Sequence, residues 1–410
     1  MATVDIYKKN HRNEISDDYK KTQIGIIPKS WDVKTLSDIG EISSGSTPSR
    51  SNENYFNGNI PWVKTTDLNN SYIFETEEKI TELALKETSL KLVEENSILI
   101  AMYGGFNQIG RTGLLRVKAA TNQAISSVFV DEKEYNAEFV LHWLNAKRGL
   151  WKKFAASSRK DPNITKNDVE NFPIVKPPYR EQKRIAQILS TWDKAIELKE
   201  KLIEQKKEQK KGLMQRLLTG KVRLPGFEGE WKIKKIGDIL VESLEIADKP
   251  DINKRITVRL NLKGVEKREP SAVEIEGATT QYIRRKGQFI YGKQNIHKGA
   301  FGIIPDYLDG FQSSIDLPSF DFKDGIDRFW FYYYFAREHF YKNLENIASG
   351  TGSKRVQPKD LFKIKIKVPP LEEQRKISAI LQSVDKEIDL LEQELEALKQ
   401  QKKGLMQLLL

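Results

Sequence analysis

The chain has no cysteine among its 410 residues, which excludes disulfides, thiolate metal sites and cysteine nucleophiles and makes a cytoplasmic setting the expected one. Only four histidines occur, His11, His142, His297 and His339, and they are scattered without the spacing of a metal-ligand set. Long apolar runs are missing as well. Residues 1–23 are polar and mixed in charge, without the apolar core of a signal peptide, so export is not expected. The most apolar stretch, Phe329 to Ala336, lies between Arg328 and Arg337 and is too short to cross a bilayer. It reads as a buried helix, and no membrane partner is expected.

Signatures of catalysis are equally scarce. A nucleotide motor needs a Gly-x-x-x-x-Gly-Lys-Ser/Thr loop, a spacing found neither at Gly220-Lys221-Val222 nor at Gly350-Thr351-Gly352-Ser353-Lys354. Amino-methyltransferases use an Asn/Asp/Ser-Pro-Pro-Tyr/Phe loop whose first side chain binds the target amine. Lys176-Pro177-Pro178-Tyr179 puts there a lysine with no acceptor to offer, and the other Pro-Pro pair reads Val368-Pro369-Pro370-Leu371. No catalytic, cofactor-binding or metal-binding residue is assigned, and the chain is expected not to be an enzyme by itself.

What the chain does have is positive charge and internal repetition. With 68 Lys and Arg against 57 Asp and Glu, the formal charge of +11 favours a polyanionic partner. A chain of this length exceeds one core, so two globular domains fit. Residues 177–218 return without a gap at residues 369–410: Pro177-Pro178 as Pro369-Pro370, Glu181-Gln182 as Glu373-Gln374, Asp193-Lys194 as Asp385-Lys386, and Lys210 to Gln215 as Lys402 to Gln407. Such a constant shift marks a duplicated unit. Trp31 and Asp38 find counterparts in Trp231 and Asp238, whereas the sequences between these anchors look largely unrelated. Leu410 aligns with Leu218, after which the first copy continues as Thr219-Gly220-Lys221, so the second copy is read as lacking that tail.

Each repeated segment reads as a long helix. The prolines mark helix starts, and Glu181 and Glu373 fall in the first turns, where carboxylates are favourable. Ile377, Leu381, Val384, Ile388, Leu391, Leu395 and Leu398 alternate spacings of four and three, a coiled-coil seam that resumes at Leu405 after Lys402. Ile185, Leu189, Trp192, Ile196 and Ile203 follow the same register, with Lys199, Lys206 and Lys210 interrupting. The partner of each helix is read as the other copy. If unbroken, 181–218 makes a rod of roughly 57 Å.

The order of motifs is specific. In the first half come Gly45 to Ser49, Ile60 to Leu68 and Thr121 to Ala124; in the second, Lys286 to Tyr291 and Gly299 to Pro305. Together with the repeated Pro-Pro, Glu-Gln and Lys-Lys-Gly-Leu-Met-Gln segments, they resemble the specificity subunit of Type I restriction-modification enzymes. That resemblance implies a non-catalytic reader of a bipartite, asymmetric DNA target. Its implied partners are double-stranded DNA, two methyltransferase subunits and, through the complex, restriction subunits. S-adenosylmethionine, ATP and Mg would then be bound by those partners and not by this chain. The alternative is a non-catalytic coiled-coil adaptor for other proteins.

The expected fold is α+β: two target-recognition domains joined by two long helices in an antiparallel coiled coil, with a pseudo-two-fold repeat. Its segments are a polar extension at 1–23, domains at 24–175 and 223–367, and helices at 176–222 and 368–410. Bases are read by Arg, Lys, Asn and Gln side chains, and phosphates by many polar donors. Candidates in the first domain are Ser46, Thr47, Ser49, Arg50, Lys64, Thr65, Asn107, Gln108, Arg111, Arg159 and Lys160. In the second they are Arg259, Asn261, Arg284, Arg285, Lys293, Gln294, Asn295, Lys298, Gln312, Ser313, Lys354 and Arg355. Asn122 and Gln123 are expected to pin a loop instead.

Overall fold

The computed structural model describes residues 17–155, 163–270, 279–350 and 354–410. The backbone divides into two compact units, residues 1–198 with 395–410 and residues 199–394. Each mixes strands and helices.

The first unit is built on a five-stranded sheet in the order Gly40–Ser44, Ile125–Val130, Ile98–Ala101, Thr112–Leu115, Ser71–Ile73, antiparallel except at its last edge. The apolar run Ile98–Ala101 is buried at every residue, as a central strand covered on both faces must be. A second sheet, ordered Lys79–Ile80, Phe56–Val63, Ala119–Thr121, Leu92–Val93, holds a smaller cluster around Trp62 and Ile80. Helix α1 (Ala137–Ala146) is capped by Asn136, whose side chain accepts the Phe139 N–H, and it buries Phe139, Trp143 and Leu144. Helix α2 (Tyr179–Leu217) begins straight after Pro177-Pro178. Its seam residues Ile185 and Leu189 join Phe139 and Trp143 in one cluster, against which Leu405, Met406 and Leu409 also pack. These two positions therefore serve the domain core as well as the helix pair.

The second unit repeats the plan. Its sheet runs Leu240–Ser243, Ser319–Phe322, Phe289–Tyr291, Phe301–Ile303, antiparallel throughout. Helix α3 (Arg328–Phe335) is the buried helix expected from the apolar stretch; Asp327 caps it by accepting the Trp330 N–H at 2.7 Å. Phe289 meets Phe331 edge-on and lies beside Phe335, both at 5.1 Å between ring centres, so interlocking aromatics fill this core. Helix α4 (Leu371–Leu409) contributes Ile377 and Leu381 to the same cluster as Met214, Leu217 and Leu218.

The Glu-Gln pair of each long helix has a physical reason. Gln182 is fully buried; its Oε1 accepts the Asn136 N–H, and its Nε2 donates to the Pro177 and Glu134 carbonyls. Gln374 does the same work in the second unit, accepting from Asp327 and donating to Pro369 and Gly325. Each glutamine thus ties the start of a long helix to the cap of the short helix before it. A carboxamide supplies both the acceptor and the two N–H donors that these contacts use.

The lysines that interrupt the seam all find carboxylates. In the second unit Lys199 meets Glu394 and Lys206 meets Glu387, both at 2.7 Å, and Lys210 meets Asp385. The partner number falls as the lysine number rises, which is the register of antiparallel segments. In the first unit Lys402 meets Asp193, the sequence counterpart of the Lys210–Asp385 pair. The exposed pairs contribute at most about 1 kcal/mol each. Burial carries more: Ile185, Leu189, Ile203, Ile377, Leu381 and Ile388 are buried. Trp192, Ile196, Val384, Leu391, Leu395 and Leu398 are half-buried.

His142 lies inside this arrangement. Its Nε2 is 3.2 Å from Ser190 Oγ and its Nδ1 is 3.8 Å from Asp193, while Ser190 also donates to Glu138. Burial, aided by the Lys402 ammonium, pushes its pKa from 6.5 down to about 3, so the ring is neutral at physiological pH and makes no ion pair with Asp193. The unfolded chain takes up this proton below about pH 6.5 and the folded chain does not, so folding stability must fall as pH drops through that window. Between about pH 6.5 and 5.5 the expected loss is about 1 kcal/mol. Denaturant titrations should show this slope in the native chain and a flatter one in His142→Asn; equal slopes would refute it.

Candidate nucleic-acid interface

In the first unit the loop after strand Gly40–Ser44 carries Ser46, Thr47, Ser49 and Arg50. The Ser46 and Ser89 hydroxyls lie 2.8 Å apart, as do those of Ser49 and Ser51, and Thr47 is exposed. The Arg50 guanidinium sits 4.7 Å over Phe56 and 5.2 Å over Trp62 and pairs with Glu78 at 2.7 Å. Lys64 shares that carboxylate, also at 2.7 Å, and reaches Glu77 at 3.2 Å. Hydrogen bonds from Arg50 and then Lys64 hold the Glu78 pKa below its usual value, and the bond to Glu78 raises that of Lys64. Both cations are thus engaged in the free protein, and a phosphate must compete with Glu78 for them. Thr65 is half-buried and opens the short turn Thr65–Asp67. Asn122 Oδ1 accepts the Ala124 N–H at 3.1 Å, which pins its loop.

The tip between strands Ile98–Ala101 and Thr112–Leu115 gathers more. Arg111 donates to Gln108 Oε1 at 3.0 Å, and Arg148 donates to the Asn107 carbonyl at 2.6 Å. Burial, and after it the adjacent Arg111, lowers the Arg148 pKa. Asn107 is exposed, as are the rings of Tyr103 and Phe106, and Lys152 Nζ lies 5.8 Å from the centre of Phe106. Sequence reasoning missed Arg148, Lys152 and both aromatics. The signal available was Gly104-Gly105 beside two aromatic residues, a tip that turns sharply; nothing in the chain order shows that the 148–152 segment lies against it. Arg159 and Lys160 lie outside the described residues.

In the second unit several candidates are exposed and already ion-paired: Arg259 with Glu266 and Arg285 with Glu245. Asn261 adopts the left-handed conformation (φ 58°) and its N–H donates to the Lys298 carbonyl, which brings these two together. Gln294, Lys298 and Lys354 are exposed and Asn295 is half-buried. Arg355 lies 3.4 Å from Asp316.

Four candidates are buried. Arg284 is 1% exposed and donates from Nε to Ser313 Oγ at 2.7 Å and from Nη1 to the Ser243 carbonyl and Ser319 Oγ at 3.0 Å. Burial pushes its pKa from 12.5 down to about 10, so it stays charged as an internal cross-link. Ser313 is its partner and is itself buried. Gln312 accepts the Asp251 N–H and donates to the Lys249 carbonyl, which commits it to a loop. Lys293 is buried, and desolvation lowers its pKa. Polarity and position in a motif did not distinguish these side chains from exposed ones: Arg284 ends the strand Tyr282–Arg284, the adjacent Gln312 and Ser313 are both covered in the strand Phe311–Ser313, and Lys293 is buried in a turn.

The sequences around these loops have relatives. The family described as the Type I restriction modification DNA specificity domain matches residues 28–207 and, a second time, residues 228–400. The chain belongs to this family. Among similar specificity subunits, a putative one for the type I enzyme MjaX of Methanocaldococcus jannaschii is 26% identical over 423 residues, covering 96% of both chains. The MjaIX specificity subunit of the same organism is 31% identical over 246 residues, and the match spans only 55% of its length. The fold is similar to that of the Type I restriction-modification S subunit of M. genitalium, with a TM-score of 0.59 at 14% identity over 97% of each chain. Among the described residues of this specificity chain, no helix is long and apolar enough to cross a membrane.

Proposed function

We propose that the chain reads a bipartite, asymmetric target in duplex DNA, one half with each recognition domain, and docks two methyltransferase subunits, with restriction subunits joining through them. The carrying observation is that the specificity-domain sequence occurs twice in one chain while the loops of the two copies differ. Domains at 24–175 and 223–367, joined by helices at 176–222 and 368–410 paired as an antiparallel coiled coil, would hold the two readers apart and leave an unread spacer between the halves. The antiparallel ion pairs support that frame. Leu198 and Leu390, 192 positions apart (390 − 198), are 55% and 50% exposed on the long helices and offer equivalent apolar contacts for two copies of one partner. In this reading S-adenosylmethionine, ATP and Mg belong to the partner subunits, the chain has no turnover of its own, and the complex works in the cytoplasm.

The test is co-expression with the neighbouring methyltransferase, followed by single-molecule sequencing of host DNA. The expected result is one split motif whose two halves differ and of which one half changes when one domain is exchanged. A stable complex that leaves no new methylation would overturn the reading and favour a protein adaptor. Binding should also weaken steeply as salt rises, since phosphate contacts release counterions.

A further inference from the structure

Between strands Ile98–Ala101 and Thr112–Leu115 the first unit presents a tip that combines three features. It exposes two aromatic rings, Tyr103 at 43% and Phe106 at 49%. It is flanked by the cations Arg111, Arg148 and Lys152. And it is braced: the Gly110 N–H donates to the Ala101 carbonyl, the Gln108 and Ile109 N–H groups to Gly105, and Arg148 to Asn107. Gly104 and Gly105 turn through positive φ, and Gly110 (φ +68°) lies so close to Trp151 that a Cβ there would come within 2.0 Å of its ring. Trp151 is in turn stacked on Phe172 at 3.7 Å. The base of the tip is therefore braced while its rings remain about half exposed.

Two exposed rings set among cations, one of which lies over Phe106, form a surface suited to a partner that is both polyanionic and apolar within. A base stack behind its phosphates has that chemistry. Apolar side chains that enter a duplex unstack a step, at a cost of a few kcal/mol, and recover it through stacking and closer backbone contact. The matching hairpin of the second unit, between Phe289–Tyr291 and Phe301–Ile303, contains no Phe, Tyr or Trp from Gly292 to Ala300.

We propose that Phe106, supported by Tyr103, enters the base stack of the half-target held by the first unit, and that the other half-target is read without such a wedge. The proposal rests on the DNA-reading function proposed above. One half of the target would then be selected partly by how easily a base step opens, a property independent of direct base contacts.

The test uses the full chain in complex with its methyltransferase and a duplex bearing the mapped target. Permanganate and diethyl pyrocarbonate report unstacked thymines and purines. Beyond any base extruded by the docked methyltransferases, the expected signal is an unstacked step in one half only, lost in Phe106→Ala and retained in Phe106→Trp. Phe106→Ala should weaken binding ten- to a hundredfold with an unchanged salt slope, whereas Lys152→Ala should lower that slope by about one. Because Phe106 is half exposed, thermal unfolding of Phe106→Ala should match the parent. If the parent complex binds and Phe106→Ala leaves footprint and affinity unchanged, or alters affinity alone, the wedge is refuted. Failure of the parent complex to retain its target refutes instead the DNA-reading function.

Discussion

Arg223→Ala is expected to lower the unfolding free energy of the chain by about 3–5 kcal/mol, through the second unit. Glu373 is 0% exposed, and its carboxylate is held by Arg223 through two hydrogen bonds, Nε at 2.7 Å and Nη2 at 2.8 Å, with the Trp231 indole N–H donating at 3.1 Å. Removing the guanidinium leaves a buried charge with one neutral donor. Desolvation of that charge, not loss of the attraction itself, sets the size of the effect. Glu373→Gln in the Arg223→Ala background should therefore recover part of the loss, because the charge is gone. Urea unfolding monitored by tryptophan fluorescence reads both variants; a loss below about 1 kcal/mol for Arg223→Ala would show that the carboxylate finds water instead. The first unit supplies the internal comparison. There Trp31 donates to Glu181 at 3.1 Å, but Glu181 is exposed, so the same kind of contact matters less.

Arg284→Ala is expected to destabilise the second unit by about 3 kcal/mol or more while leaving the recognised sequence unchanged among molecules that remain folded. The substitution empties the space of a large buried side chain and removes the donors that satisfy Ser313, Ser319 and the Ser243 carbonyl. Arg285, one residue on, is exposed and paired with Glu245 at the surface, so Arg285→Ala should change stability by less than about 1 kcal/mol. Thermal unfolding of the pair, together with methylation mapping of Arg284→Ala below its transition, separates a structural arginine from a reading one. A switched half-target in Arg284→Ala at parental stability would reverse this assignment.

The two arginines illustrate where sequence reasoning loses resolution. Both stand in the polar segment before Lys286-Gly287-Gln288, and nothing in residue type separates them. A strand sends neighbours to opposite faces, and Tyr282–Arg284 ends on the inward one. The long helices were far more legible, since 39-residue segments with apolar spacings of three and four leave little choice of structure. Even there the assignment was coarse. Ile185 and Leu189 belong to a domain core as much as to a helix seam, because one helical turn presents neighbours to two surfaces at once. The lysines read as interruptions proved to be paired, which required knowing which carboxylate on the other helix lay opposite.

Sequence by itself determined the duplication, the helical nature of the repeated segments, the buried aromatic helix at Arg328–Phe335 and the family, because each is written in local spacing or in the order of motifs. Tertiary structure alone decided which polar side chains face inward, that Gln182 and Gln374 clamp the caps of preceding helices, and that Arg148 and Lys152 lie against an exposed aromatic tip. The division follows from range. Periodicity is a property of neighbours along the chain, whereas burial and charge pairing arise between residues brought together only when the sheets close over their cores.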